Sequence, residues 1–500
     1  MSVPTDQTEV AAFLRGLAGA DPVETHISLV FIGADTVWKL KKSVTLPFLD
    51  FAPLSAREHF CRRELALNAA ASEGLYRDVQ PVVRCSDGTL TIGGEGQTID
   101  WVLRMAPVPN SDFLDAMVRQ GPLPGELLDR IADAVVEYHR RLPPLQGTVP
   151  ALGTVFQGNV VSAREVGLPA DAVDEWVART GRALADIDAW QRRRATEGFV
   201  RRCHGDLHLG NICLWRGAPV LFDALEFDEN LARIDVAYDL AFLLMDLEHR
   251  LGRAAANRAM NRYIARTGDT DLLRGLPVFL SMRAFILAHV QQRRGNRDEA
   301  ARYLRSALRY LDPPPPVALA IGGIPGTGKS TVARLVAPNI GPPPGAAILR
   351  SDEIRKRIWG VAPETPLPPD AYTASVSASV FAALAEGMTA ALEAGHAAIA
   401  DATFVSAAQR TLVEDAARDV PFAGFWLDAP MAVLEQRVAD RRGDASDATV
   451  AVLRSFAAKR TDFGDWTRVD ALDSVLASDA VRDFIDKRSD ACYRRNAAPR

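Results

Sequence analysis

Apolar positions change their period twice along the chain. In "ISLVFIGADTVWKLKK" (27–42) they form short runs on either side of Gly33-Ala34-Asp35, which predicts two strands joined by a turn. "SAREHFCRRELALNAAA" (55–71) follows with helical spacing, so the first hundred residues read as strand-rich with one clear helix. From Glu126 onward, "ELLDRIADAVVEYHRRL" and "DAVDEWVARTGRALADIDAW" place apolar residues three and four apart, and helices dominate. After Pro316 the pattern switches again. "VALAIGG", "AAILRSD", "HAAIADAT" and "PFAGFWLDAP" are short apolar runs separated by longer helical segments, the alternation that builds a parallel sheet with crossover helices.

The second switch coincides with four consecutive prolines, Pro313 to Pro316, which stop a helix and precede a strand. The expected division is therefore a first domain over 1–312, with a β-rich small lobe (about 1–105) and a helical large lobe (about 106–312), and a second domain over 317–500. "GPPPG" at 341–345 reads as a loop inside the second domain. The fold class is mixed, α+β in the first domain and α/β in the second. No repeat with a period of about 20 to 50 residues stands out.

Composition narrows the class further. With 48% hydrophobic and 24% charged residues the chain is an ordinary globular protein. A formal charge of −5 supplies no broad cationic field for gripping nucleic acid, so any such contact would be local. The first twenty residues carry Asp6, Glu9 and Arg15 and lack the pattern of a signal peptide. Apolar stretches such as Val236 to Leu251 are broken by Asp239, Asp246 and Glu248, so no membrane span and a cytoplasmic address are expected. Five irregularly spaced cysteines fit reduced thiols.

The strongest chemical signal is "GGIPGTGKST", in which Gly323, Gly328, Lys329 and Ser330 have the G-x-x-x-x-G-K-[ST] spacing of a P-loop (Walker A), between the strand "VALAI" and the helix "STVARLVA". Backbone N–H groups of such a loop, with Gly326 at its turn, curl round a phosphate chain, Lys329 reaches the terminal phosphates, and Ser330, followed by Thr331, offers an oxygen to Mg²⁺. At the ends of the next strands, "SDEIR" supplies Asp352 to accept a proton from an attacking hydroxyl and Arg355 to hold acceptor or phosphate. A helix capped by Ser351 or Asp352, with Arg355 on its surface, is the alternative. Asp401 ends the strand "HAAIADAT" as a candidate for the Mg²⁺ shell. In "LEQRVADRRGDASDA", Arg437 and Arg441 fall four apart on one helical face with Arg442 beside them, suited to closing over a γ-phosphate.

"CHGDLHLGN" (203–211) admits two chemistries. Cys203, His204, Asp206, His208 and Cys213 are suitable metal ligands, but no paired C-x-x-C or second cysteine and histidine group accompanies them. The stretch also has the H-x-D-x-x-x-x-N spacing of a phosphotransfer loop, and Asp223 lies twelve residues beyond Asn211, at the end of "PVLFD". In that reading Asp206 orients and deprotonates an acceptor hydroxyl, and Asn211 with Asp223 holds Mg²⁺ against the phosphates of ATP. A lysine on a strand and a glutamate on the next helix should complete the site. Lys39 with Glu64 is the preferred pair, and Lys41 shares the strand face with Lys39.

"CHGDLHLGN", "LFDALEF" and "IDVAYDLAFLLMDLE" resemble the aminoglycoside phosphotransferase and choline kinase branch of the protein-kinase-like fold, over about residues 25–310. The resemblance implies a bilobal domain in which His204 is structural, Asp239 braces the catalytic region and His208 packs. No G-x-G-x-x-G accompanies it; Gly33 alone sits in the expected hairpin. The Walker motif, "SDEIR", "DATF" and the arginines resemble P-loop kinases that include polynucleotide kinases, gluconate-type kinases, chloramphenicol phosphotransferase and zeta toxins, over about 317–490. The order of the halves is similar to bacterial proteins described as bifunctional aminoglycoside phosphotransferase-like/ATP-binding, a likeness of homology and not of antibiotic substrate. Together these resemblances imply an ATP- and Mg²⁺-dependent kinase with two nucleotide sites acting on small-molecule hydroxyls. A nucleic-acid end is a less favoured acceptor for the second half. The alternative is a first half that senses a ligand and regulates a single P-loop kinase.

Overall fold

The computed structural model describes residues 3–46, 49–441, 443–458 and 462–496, with side chains to 485. Contacts do not part the chain at Pro313–Pro316. One compact unit comprises residues 1–123, 137–158 and 188–243; the other comprises 124–136, 159–187 and 244–500.

In the first unit, among the described residues, a six-stranded antiparallel sheet has the order Val23–Glu24, Ser28–Ile32, Val37–Lys41, Gln97–Met105, Tyr76–Arg84, Leu90–Ile92. The turn expected at Gly33 joins the second and third of these strands. A Cβ at Gly33 would approach the Trp38 ring to 2.8 Å, so only glycine fits this hairpin without displacing the ring. A helix at Thr8–Ala18, absent from the sequence expectation, buries Val10, Ala11 and Leu14 against Leu29, Phe31 and Leu40. The helix Leu54–Asn68 behaves differently: its buried stripe is Arg57, Cys61, Glu64 and Asn68, largely polar. Burial of such groups is tolerable only when each is bonded. Arg57 pairs with Asp100 at 2.8 Å, and the Asn68 side-chain oxygen accepts from the Ala224 N–H.

The second unit holds a five-stranded parallel sheet among its described residues, in the order Ala347–Arg350, Ala398–Asp401, Ala318–Gly322, Phe422–Asp428, Thr467–Asp470. Four of these strands are the apolar runs of the sequence; the fifth, "TRVD", is too short and polar to announce itself. Leu319, Ile321, Val332, Val336, Ile348, Ile399, Phe425 and Leu427 form its core. The helix Arg253–Thr267 covers the sheet edge: Asn257 donates to the Ala346 carbonyl, and the Asn261 side-chain oxygen accepts from the Ile348 N–H. Satisfying the exposed backbone of an edge strand in this way removes a template for aggregation.

One helix bears on the expectation of no membrane span. The helix Ala374–Glu393 is 20 residues long, with a mean hydropathy of 1.4, and is apolar enough by composition to cross a membrane. Its Val380, Phe381, Leu384, Met388, Ala391 and Leu392 are buried within the unit instead.

Candidate active sites

The first site is built on paired charges. Lys39 and Lys41 alternate to the same face of the strand Val37–Lys41 and both reach Glu64, each at 2.7 Å and each to a different carboxylate oxygen. Lys39 also meets Asp223 at 2.5 Å, and Lys41 pairs with Glu226. Glu64 is fully buried, and both lysines are nearly so. Burial would push the Glu64 carboxyl up, but Lys39 and Lys41 outweigh it and hold it down at about 2. Burial pulls the Lys39 ammonium down, yet Asp223 and Glu64 keep it well above its ordinary value. Glu226 is raised, because its burial outweighs the attraction of Lys41. Sequence spacing singled out Lys39, Glu64 and Asp223; Glu226, three residues past Asp223, was missed, although its place in "FDALEF" was visible.

Asp223 has φ of +62°, a left-handed conformation that costs a non-glycine residue energy and that surrounding structure must enforce. Tyr76 contributes to that enforcement, since its hydroxyl accepts from the Asp223 N–H at 3.0 Å. Residues 203–211 are held as tightly. The Asp239 carboxylate accepts from the N–H groups of His204 and Gly205 at 3.1 and 2.9 Å and meets His139 Nε2 at 3.1 Å. His204 sits with Nε2 2.8 Å from the Phe222 carbonyl, and its burial lowers its pKa, so it is a neutral ring tying the loop to the strand that ends before Asp223. His208 accepts from the Gly210 N–H through Nδ1 and lies 3.5 Å from Asp206.

Asn211 donates to both the backbone carbonyl and the carboxylate of Asp206, at 2.8 and 3.0 Å. Donation by its nitrogen leaves the amide oxygen as the atom suited to a cation. The five residues of the alternative metal reading do not form a cluster. His139, Cys203 and Asp239 bring one ligand atom each within 4.8 Å, but these are buried groups already bonded in the brace of the loop. Cys213 is buried, and its thiol is pushed up to about 12.

The second site surrounds the P-loop. Gly323, Gly326 and Gly328 all have positive φ, and a Cβ at Gly326 would lie 2.8 Å from the Leu434 carbonyl oxygen. The loop leads into the helix Lys329–Val336, whose first residues are Lys329, Ser330 and Thr331. A cavity of about 790 Å³ opens there, and its walls include Lys329, Ser330, Asp352, Arg355, Asp401, Arg437 and Arg441. Gly326, Gly328 and Thr331 line it as well, so the site residues expected in this half share one cavity, with Gly323 at the start of the loop and Arg442 left aside. Asp401 is 2% exposed and bonds Ser330, but its Oδ2 accepts no hydrogen bond; Arg350 Nε is 3.7 Å away. Burial raises the Asp401 carboxyl and lowers the Lys329 ammonium, since neither has a full complement of opposite charge.

Three expectations change. The cap of the helix Ser351–Ile358 is Arg350, with no side-chain capping bond, so Asp352 is not occupied as a cap and its carboxylate lines the cavity. The helix Met431–Asp440 ends before Arg441, whose backbone is extended; Arg437 and Arg441 therefore do not share a helical face, although both reach the cavity. Arg437 is spent on backbone carbonyls, donating to Ala471 at 2.9 Å and Leu472 at 2.7 Å. Arg442 lies outside the described residues. Sequence reasoning also missed Arg350, which pairs with Asp444, and Lys356, which meets Asp447 at 2.6 Å. Both precede or follow the noticed "SDEIR" by a residue or so; nothing local marks a buried arginine or lysine as paired.

Residues 48–276 match the Phosphotransferase enzyme family, and residues 319–463 match the AAA domain family. The uncharacterized proteins Rv2004c of Mycobacterium tuberculosis and Mb2027c of Mycobacterium bovis are each 30% identical over 478 residues, covering 90% of this chain and 92% of the relative. Among solved structures, a glucosamine kinase is 20% identical and aligns with 60% of this chain and 83% of its own (TM-score 0.38). A sugar kinase from Janibacter sp. is 21% identical, over 35% of this chain and 95% of its own (TM-score 0.26).

Proposed function

The chain belongs to the family of Rv2004c and its mycobacterial counterparts and is a phosphotransferase enzyme of the kinase type, and on that premise we propose that it has two separate ATP·Mg²⁺ sites, each transferring the γ-phosphate to a small-molecule hydroxyl. One observation carries this reading: two residue sets that share no member each combine a lysine suited to phosphate, a carboxylate suited to an acceptor hydroxyl and oxygen donors suited to a cation. They are Lys39, Asp206, Asn211 and Asp223 in one, and Lys329, Asp352, Ser330 and Asp401 in the other.

In the first set, Lys39 contacts the phosphates and Asp206 accepts the proton of the acceptor hydroxyl. That oxygen bonds to the γ-phosphorus as the bond to the β–γ bridging oxygen breaks, and ADP leaves. In the second set Asp352 has the corresponding role, with the P-loop amides and Lys329 on the phosphates and Arg441 near the transferring group. Mg²⁺, when bound, neutralises phosphate charge. Asn211 and Asp223 suit it in one site and Ser330 and Asp401 in the other, the unsatisfied Asp401 Oδ2 being the kind of buried oxygen a cation would complete.

The test is transfer from γ-labelled ATP into a cell-metabolite extract by the full chain. Two groups of labelled products are expected, one lost in Asp206→Asn and the other in Lys329→Ala. A single group lost in both variants would mean one active site.

A further inference from the structure

The P-loop cavity has a second character beside its phosphate-binding wall. Leu367, Tyr372, Phe381, Val405, Val452 and Phe456 also line it, contributed by elements other than the P-loop and its helix. Tyr372 and Val452 remain 42% and 39% exposed. Apolar and aromatic surface kept open inside a concavity is what a bound organic body covers. Polar side chains, among them Ser377, Thr403 and Gln409, line other parts of the same cavity.

Against this wall stands Arg355. It is 7% exposed, yet no carboxylate pairs with it among the described residues. Its neighbours along the chain are matched by carboxylates: Arg350 by Asp444, Lys356 by Asp447. Arg355 donates to the Ala371 carbonyl at 2.6 Å, is 3.4 Å from Ser377 Oγ, and lies over the Tyr372 ring at 4.8 Å from its centre. Its Nε is buried with no partner. A guanidinium so placed is matched in charge and geometry by a carboxylate or phosphate. Asp352 lies three residues before it on the helix Ser351–Ile358, so the two are neighbours on one helical face and both line the cavity.

We propose that the acceptor of the P-loop site is a small alcohol with a flat apolar or aromatic body and one anionic group, the hydroxyl directed to Asp352 and the anion to Arg355. This rests on the kinase reading of that site. Asp352 takes the hydroxyl proton, the oxygen bonds to the γ-phosphorus and ADP departs.

Hydroxymethylbenzoate, benzyl alcohol, gluconate and a 5′-hydroxyl oligonucleotide serve as probes, with ATP and Mg²⁺, in the full chain carrying Asp206→Asn. Transfer to hydroxymethylbenzoate is expected to exceed transfer to benzyl alcohol by about ten- to a hundredfold in kcat/KM, the value of a charged hydrogen bond, and to exceed gluconate. Arg355→Gln should erase the preference over benzyl alcohol and leave nucleotide binding intact; should that variant not fold, the ratios with Arg355 in place still decide. Failure of hydroxymethylbenzoate to accept phosphate, or better transfer to gluconate or the oligonucleotide, overturns the acceptor class. If Lys329→Ala abolishes the gluconate or oligonucleotide transfer, the kinase reading survives that defeat. If no probe accepts and Lys329→Ala leaves nucleotide binding unchanged, both fall.

Discussion

The region around Lys39 and the region around Lys329 reach opposite electrostatic states. Around Lys39 every charge is matched within the protein: Glu64 bridges two lysines, and Asp223 and Glu226 take their other sides. Around Lys329 matching is incomplete. The lysine is lowered, Asp401 is raised, and an oxygen of Asp401 and the Nε of Arg355 are buried without partners. The first region holds its geometry by internal ion pairs, whereas the second leaves buried polar groups that, in the proposed reading, nucleotide, cation and acceptor would complete. Buried pairs are costly to break singly, and unmatched groups are a cost until a ligand arrives.

That contrast makes its largest difference in rate. Asp206→Asn keeps the Asn211 contact on one side but removes the proton acceptor, and first-site transfer should fall by about 10²- to 10⁴-fold while nucleotide still binds; comparable transfer in the variant would remove Asp206 from that role. Next is stability. Glu64→Ala leaves Lys39 to Asp223 alone and Lys41 to Glu226 alone, and should cost less than the about 3–5 kcal/mol of a fully uncompensated buried charge, read as a lower urea midpoint. Replacing Lys41 and Glu226 together by Met and Leu should cost less than about 1 kcal/mol, because no charge is left alone.

The same carboxylate sets a pH response. Glu64 falls from an ordinary 4.5 to about 2 in the fold, so its stabilisation is complete above pH 4.5 and is lost as pH falls toward 2. Acid unfolding of the first unit should therefore steepen in that window, and the Glu64→Gln protein should lack that component. Asp401 has the opposite sign. Its raised pKa means that the charged form is penalised at neutral pH, so Asp401→Asn should raise the melting temperature by about 2–4 °C for each 1 kcal/mol relieved. A fall would show that Arg350 and Lys329 hold the carboxylate better than its burial penalises it.

The alternating halves, the P-loop and the residues 203–211 were legible because each is a local pattern with a physical cause: apolar period, glycine at positive φ, fixed spacing on one loop. What was hidden is long-range. The helix Leu54–Asn68 buries Arg57, Glu64 and Asn68, and the partners that make this tolerable stand on distant strands and loops, at Asp100, Lys39 and Ala224. Glu226, Arg350 and Lys356 were missed for the same reason, since a charge's burial depends on a partner far along the chain. The end of the helix at Asp440, which separates Arg437 from Arg441, comes three residues before the nearest glycine, Gly443, so the apolar period alone ran past it. The proline seam marks the end of a helix, but it does not separate the compact units, because the helix Arg253–Thr267 bonds the edge of the P-loop sheet.

The central claim is two independent nucleotide sites. Equilibrium binding of a non-hydrolysable ATP analogue with Mg²⁺ to the full chain tests it most directly. Two equivalents are predicted for the unaltered protein and one for Lys329→Ala; a single equivalent in the former, or none in the latter, would contradict it.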